Sequence, residues 1–149
     1  MKKEVKNKTK IIIKFRQVEA NDWDFILDLR NRFYNNFEQQ DSPLSRDEHV
    51  RYMEKQTKNP NFEQWIIQDD ENQNEIGYIR VLDSDVSILI KTEFQGMGYG
   101  KEILLQLDQQ LKSSKKLVAR IISHNISSIK AFEKAGYKLK TLVYEKDIT

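Results

Sequence analysis

Apolar positions fall into short blocks whose period changes along the chain. From Lys10 to Gln17, Ile11, Ile13 and Phe15 alternate, with Ile12 breaking the strict pattern, which predicts a first strand. From about Asp22 to Phe37, Ile26, Leu29, Phe33 and Phe37 form a helical stripe behind Asn21, a residue suited to an N-cap. Gln39 to Pro43 reads as a loop, and Ser45 with Glu48 has capping-box spacing at the start of a second helix that ends before Asn59-Pro60-Asn61. Glu63 to Asp69, Gly77 to Leu82 and Val86 to Ile90 are strand-like. The turn-prone stretches Asp70 to Gln73 and Asp83 to Asp85 separate them, so an antiparallel meander is predicted. Ile103, Leu104, Leu107 and Leu111 predict a helix to about Lys112. A strand around Leu117 to Ser123, a helix from Ser127 to about Ala135 and a final strand from Tyr137 to Tyr144 complete the pattern.

The order β-α-α-β-β-β-α-β-α-β predicts an α/β fold, a mixed sheet with helices on its faces. No internal repeat and no Pro-, Gly- or Ser-rich linker divides the chain, so residues 10–149 are expected to form one domain behind a basic tail, residues 1–9. The basic start could be mistaken for a targeting signal. The run Ile11 to Ile13 stops at Lys14, however, well short of the roughly 7–15 apolar residues a signal needs. No stretch approaches a membrane span. A soluble cytoplasmic protein, monomer or homodimer, is expected.

Composition narrows the chemistry. The 25 Lys+Arg against 23 Asp+Glu leave a net charge of +2, too little to argue for nucleic acid. With no cysteine there is no disulfide, thiolate nucleophile or Cys-based zinc site, and two histidines, His49 and His124, make a His-rich metal centre a poor expectation. This inventory suits a cofactor that brings its own reactive group.

A phosphate-binding site is marked by Gln95-Gly96-Met97-Gly98-Tyr99-Gly100-Lys101, where the strand-like run VSILI hands over to a helix. Glycines at a helix N-terminus let unpaired amides and the helix dipole approach a phosphate closely. The Walker A spacing fails here, because it would need glycine at Gln95 and Ser or Thr at Glu102. The dinucleotide pattern G-x-G-x-x-G fails as well, at Lys101.

The loop does match Q/R-x-x-G-x-G/A, and Asn125 to Tyr137 matches N-x-x-[SA]-x-x-x-[YF]-E-K-x-G-[FY]. With both motifs in order, the chain resembles the GCN5-related N-acetyltransferase (GNAT) superfamily most closely over Val86 to Lys138. The resemblance implies a GNAT-like fold with a splayed pair of parallel strands, here Val86 to Ile90 and Leu117 to Ser123. Acetyl-CoA would be the acyl donor, a small-molecule primary amine the acceptor, and no metal would be needed. Backbone groups of Ile88 and Ile90 would pair with the pantetheine arm, and amides from Gly96, Met97, Gly98, Tyr99, Gly100 and Lys101 would take the pyrophosphate. Gln95, Asn125, Ser128 and Phe132 would complete the donor site.

Catalysis requires a base, an oxyanion donor and an acid for the departing sulfur. The Leu89 or Ile90 amide is the candidate oxyanion donor, and Asp83, Asp85 and Ser87 lie near the splay. Many relatives place tyrosine where this chain has Phe132, so Tyr137 and Tyr144 become the candidate acids. Leu29-Arg30-Asn31 and Ser45 to His49 resemble stretches of enzymes acetylating amino-sugar nucleotides or protein N-termini. That resemblance nominates Arg30, Asn31, Phe33, Tyr34 and His49 for the acceptor, with Arg30 on a phosphate. A non-catalytic acetyl-CoA sensor is the remaining alternative.

Overall fold

A computed structural model describes residues 11–37, 40–112 and 116–149. The expected basic tail, residues 1–9, lies outside them. Four strands, β1 (Ile13–Gln17), β2 (Phe62–Asp69), β3 (Glu75–Leu82) and β4 (Asp85–Ile90), form an antiparallel sheet in the order β1-β2-β3-β4. The meander arises because the connections from β2 to β3 and from β3 to β4 are short and hold turn residues. Gln73 and Asp83 sit there at φ 54° and 57°.

Both faces of the sheet are covered because β2 to β4 are apolar on both sides. Trp65, Ile67, Ile79 and Val81 face a core with Ile103, Leu104 and Leu107 of α3 (Tyr99–Gln110) and Phe132 of α4 (Ile126–Lys134). Ile66, Tyr78 and Leu89 face the other way, against Ile26 and Leu29 of α1 (Trp23–Arg32) and Met53 of α2 (Arg46–Thr57). Where β2 pairs with β3, Ile67 meets Gly77 and Gln68 meets Glu75, so Ile76 is an extra, bulged residue.

Gly77 is required by close approach: a Cβ there would run into the carbonyl oxygen of Leu89 in β4. Gly77→Ala is therefore expected to cost about 1–3 kcal/mol, as overpacking does, measured by urea unfolding. A second anchor joins β1 to the start of α1, where the Arg16 guanidinium bonds both Asp22 oxygens at 2.8 and 2.9 Å. Those bonds hold the Asp22 carboxyl below its ordinary range. A depressed carboxylate contributes stability above its unfolded pKa and loses it as pH falls through the folded value. The stability gap between wild type and Asp22→Asn should accordingly close in unfolding titrations taken from neutral pH down through and below the ordinary carboxylate range.

The helical stripe from Asp22 to Phe37 divides. α1 stops at Arg32, and a 3-10 turn, Tyr34–Asn36, follows. Two other expectations are corrected. The predicted strand at Leu117 to Ser123 reduces to a single parallel bridge, Val118 to Asp85. The predicted strand from Tyr137 to Tyr144 pairs with nothing among the described residues, since β propensity records a suitable side-chain pattern and cannot supply the neighbour that makes a ladder. Among the described residues no helix is long and apolar enough to cross a membrane.

Candidate active site

The glycine loop joins β4 to α3 and is shaped by backbone. Gly96 and Gly98 adopt φ 76° and 88°, and Gly98 is the N-cap of α3. The first helical bond runs from Glu102 N–H to the Gly98 carbonyl (3.3 Å), leaving the N–H groups of Tyr99, Gly100 and Lys101 ahead of it without helical acceptors. Gln95 Nε2 donates to the Ile90 carbonyl at 2.9 Å and ties the loop to the strand. Gly100 is needed for packing, since a Cβ there would stand 3.2 Å from Cβ of Ala131 in α4.

Beside the loop the sheet splays. Val86 N–H donates to the Val118 carbonyl and Val118 N–H to the Ser84 carbonyl, both at 2.8 Å, and no further rung joins β4 to residues 119–122 among the described residues. On the other edge of β4, Lys91 N–H donates to the Ile76 carbonyl. Antiparallel alternation then turns the odd-numbered backbone groups of β4 toward β3 and those of Ile88 and Ile90 toward the splay. This corrects the choice of Leu89 as oxyanion donor: its N–H is directed at Tyr78, and Ile90 supplies the open donor.

A cleft of about 850 Å³ runs from the loop through the splay to α1 and α2. At its far end lies Arg30, half-buried, with its guanidinium 5.7 Å from the Phe37 ring and 5.2 Å from the Tyr52 ring. Burial, with Arg80 adding to it, lowers its pKa. Among the described residues no carboxylate pairs with it. Arg80 bonds both the main chain and the carboxylate of Asp85 at 3.1 Å. Along the cleft Arg30, Arg80, Lys101, Arg120, Lys130 and Lys134 face a single described carboxylate, Asp85.

A family model described as an acetyltransferase (GNAT) domain matches residues 13–138. The chain belongs to the GNAT family. Its fold is shared with a solved domain from Methanocaldococcus jannaschii DSM 2661 at 28% identity, covering 90% of this chain and 93% of that one (TM-score 0.73). It is shared also with spermidine N-acetyltransferase from Vibrio cholerae, solved with CoA and spermine, at 18% identity over 92% of this chain and 88% of that one (TM-score 0.76). No curated protein matches the chain. As a GNAT enzyme it is an acetyl-CoA-dependent N-acetyltransferase. The positive-φ glycines, the unpaired amides opening α3 and the open edge of β4 fit that cosubstrate.

The GNAT donor motifs come together in the cleft, although Met97 is exposed and outside its lining. Asn125 caps α4 by accepting from Ser128 N–H (3.4 Å), which leaves its Nδ2 available, and Phe132 lines the wall. The acceptor residues separate. Arg30 and Phe33 line the cleft and Tyr34 does not. Both amide atoms of Asn31 are held by the Leu44 backbone, at 2.7 and 2.9 Å, so Asn31 fixes the loop after α1. His49 is buried with Nε2 on the Trp23 carbonyl (3.0 Å), and burial lowers its pKa. It touches only a small cavity of about 20 Å³ beneath Arg30.

Neither candidate acid lines the cleft. Tyr137 packs edge-on against Phe132 at 4.9 Å with its hydroxyl buried, and burial, with Asp108 adding to it, pushes its pKa up to about 12. Tyr144 is 87% exposed, outside the cleft. The tyrosines that do line it are Tyr52 and Tyr99. Tyr52, Phe37 and Arg80 escaped the sequence reading as site residues. The available signal was Arg80, a charge inside the otherwise apolar stretch Tyr78 to Leu82.

Proposed function

We propose that this GNAT enzyme acetylates the primary amine of a small molecule that carries a phosphate or carboxylate, with an amino-sugar nucleotide as the favoured acceptor. The observation that carries this reading is Arg30, a guanidinium held between two rings at the acceptor end of the cleft without a carboxylate partner among the described residues. A desolvated cation so placed favours an anionic group on the ligand, and the single lining carboxylate among the described residues, already bonded to Arg80, offers little to a polycation.

Bound acetyl-CoA supplies a thioester carbon open to attack by a neutral amine. The amides opening α3 hold the diphosphate, with Lys101 beside them, and the backbones of Ile88 and Ile90 extend β4 along the pantetheine arm. The Ile90 N–H is the donor for the developing oxyanion. Asp85, which lines the cleft, is the carboxylate that takes up the ammonium proton through water, and the neighbouring Ser87 hydroxyl can relay it. Departure as the thiolate needs no acid, since a thiol pKa of about 8.5 makes that ion accessible near neutrality. Use of this donor suits a reaction in the cytoplasm.

Thiol release with acetyl-CoA tests the reading across amino-sugar nucleotides, amino acids, polyamines and N-terminal peptides. Anionic amines should show the highest kcat/KM. Preference for spermidine over every anionic amine would overturn the acceptor assignment, and preference for peptide N-termini would favour the protein-modifying alternative.

A further inference from the structure

His49, on α2, is 1% exposed, the least of the buried polar side chains among the described residues. Its Nε2 lies 3.0 Å from the Trp23 carbonyl, which can only accept, so the ring proton is assigned to Nε2. Burial, with Arg30 adding to it, lowers the pKa and favours the neutral ring. Nδ1 is then a bare lone pair, buried and without a hydrogen-bond partner among the described residues. A buried acceptor of this kind costs free energy unless something donates to it.

Donors without acceptors stand beside it. The Arg30 guanidinium contacts the Phe37 and Tyr52 rings, and none of its five N–H groups has an acceptor among the described residues. A ring attracts the charge but fixes no direction for an N–H. His49 and Arg30 line the same small cavity of about 20 Å³, together with Tyr78 and Ser87. Trp23 is outside that lining, so Nε2 is turned away from the cavity and Nδ1 is the nitrogen left to face it. Space of this size suits one water, which needs roughly 10–15 Å³ and a few polar partners. Tyr78 gives its hydroxyl proton to Gln64 at 2.7 Å, so its oxygen is free to accept.

We propose that one enclosed water, accepting from an Arg30 N–H and donating to His49 Nδ1, anchors the guanidinium and makes His49 a positioning residue for the acceptor. The second proton of that water goes to the Tyr78 or Ser87 oxygen. With one edge of its planar fork tied inward, Arg30 presents the opposite N–H groups to the cleft. An anion then meets a preset pair of donors instead of a rotating one, which lowers the ordering cost of binding. No proton is transferred, because His49 stays neutral and acts through Arg30. This role rests on the reading that Arg30 takes the anionic group of the acceptor.

A high-resolution crystal structure of the full chain, with no acceptor added, should show a water within hydrogen-bond distance of both His49 Nδ1 and an Arg30 nitrogen. A cavity without that water, or a water bonded to only one of the two, overturns the proposal. Kinetics with an amino-sugar nucleotide as acceptor read the role. His49→Gln keeps an amide N–H for the Trp23 carbonyl and takes away the Nδ1 acceptor, so KM should rise about 10-fold with kcat little changed. His49→Asn keeps an oxygen near the Nδ1 position and gives up the Trp23 bond, so KM should stay within about 3-fold of wild type while Tm falls. In an Arg30→Met background, His49→Gln should no longer raise KM. A His49 that only packs would reverse that order, with the loss following Tm, and this result or an equal KM for wild type and His49→Gln overturns the proposal. The anchor and the acceptor reading fail separately: a bridging water together with kcat/KM unmoved by Arg30→Met would remove the acceptor class alone and leave the anchor.

Discussion

Replacing Gly98 with valine is expected to weaken acetyl-CoA binding about 10- to 100-fold while leaving the fold nearly intact. Gly98 holds φ 88° at the N-cap of α3, a conformation that costs a β-branched residue on the order of 1–3 kcal/mol. The added Cβ meets only Ile11 Cδ1, at an ordinary 3.5 Å, so the core is spared. Relief of the strain would swing the amides of Tyr99 and Gly100 away from the phosphate, and binding would bear the loss. Gly100→Val acts differently, because there the clash is with Ala131 and α3 must part from α4. Calorimetry with acetyl-CoA, paired with thermal unfolding, separates the two. Unchanged affinity for Gly98→Val would sink the pyrophosphate assignment.

Arg30→Met is expected to lower kcat/KM for anionic amines by about 30- to 1,000-fold, the range for removing one partner of a desolvated charge pair. Most of the loss should appear in KM, because the guanidinium binds the acceptor away from the reacting nitrogen. Stability should hold or rise, since the variant removes a half-buried cation with no carboxylate partner among the described residues and leaves an apolar chain between Phe37 and Tyr52. That combination of weaker catalysis and equal or higher melting temperature is not what a packing residue would give. An acceptor that lacks an anionic group should lose little. Equal kcat/KM for wild type and Arg30→Met on every anionic amine would remove the basis for the acceptor class.

The helices and the meander were legible because each element carries its own period and its own punctuation, as in the Ser45 cap of α2, whose Oγ accepts from Glu48 N–H at 3.2 Å. The glycine loop was legible for the same reason, since positive φ and close approach are demands on single residues. Roles that depend on direction were harder to read. Leu89 and Ile90 are equivalent as sequence, and only the pairing of β4 with β3 shows which N–H faces the splay. Asn31 and His49 have the chemistry of ligand contacts, yet the Leu44 backbone and the Trp23 carbonyl take their polar atoms.

By itself, then, the sequence determined the donor side, because a phosphate cradle made of backbone and glycine is encoded over a few adjacent residues. Tertiary structure alone decided the far end of the cleft, the proposed acceptor side, where Arg30, Phe37, Tyr52 and Arg80 converge from α1, the segment after it, α2 and β3. It also decided the fate of residues 138–149, whose strand pattern has no pairing in its own molecule among the described residues. The reason is the same in both cases: period and capping are local properties of the chain, whereas a partner for a guanidinium or a strand edge is supplied only by what packs against it.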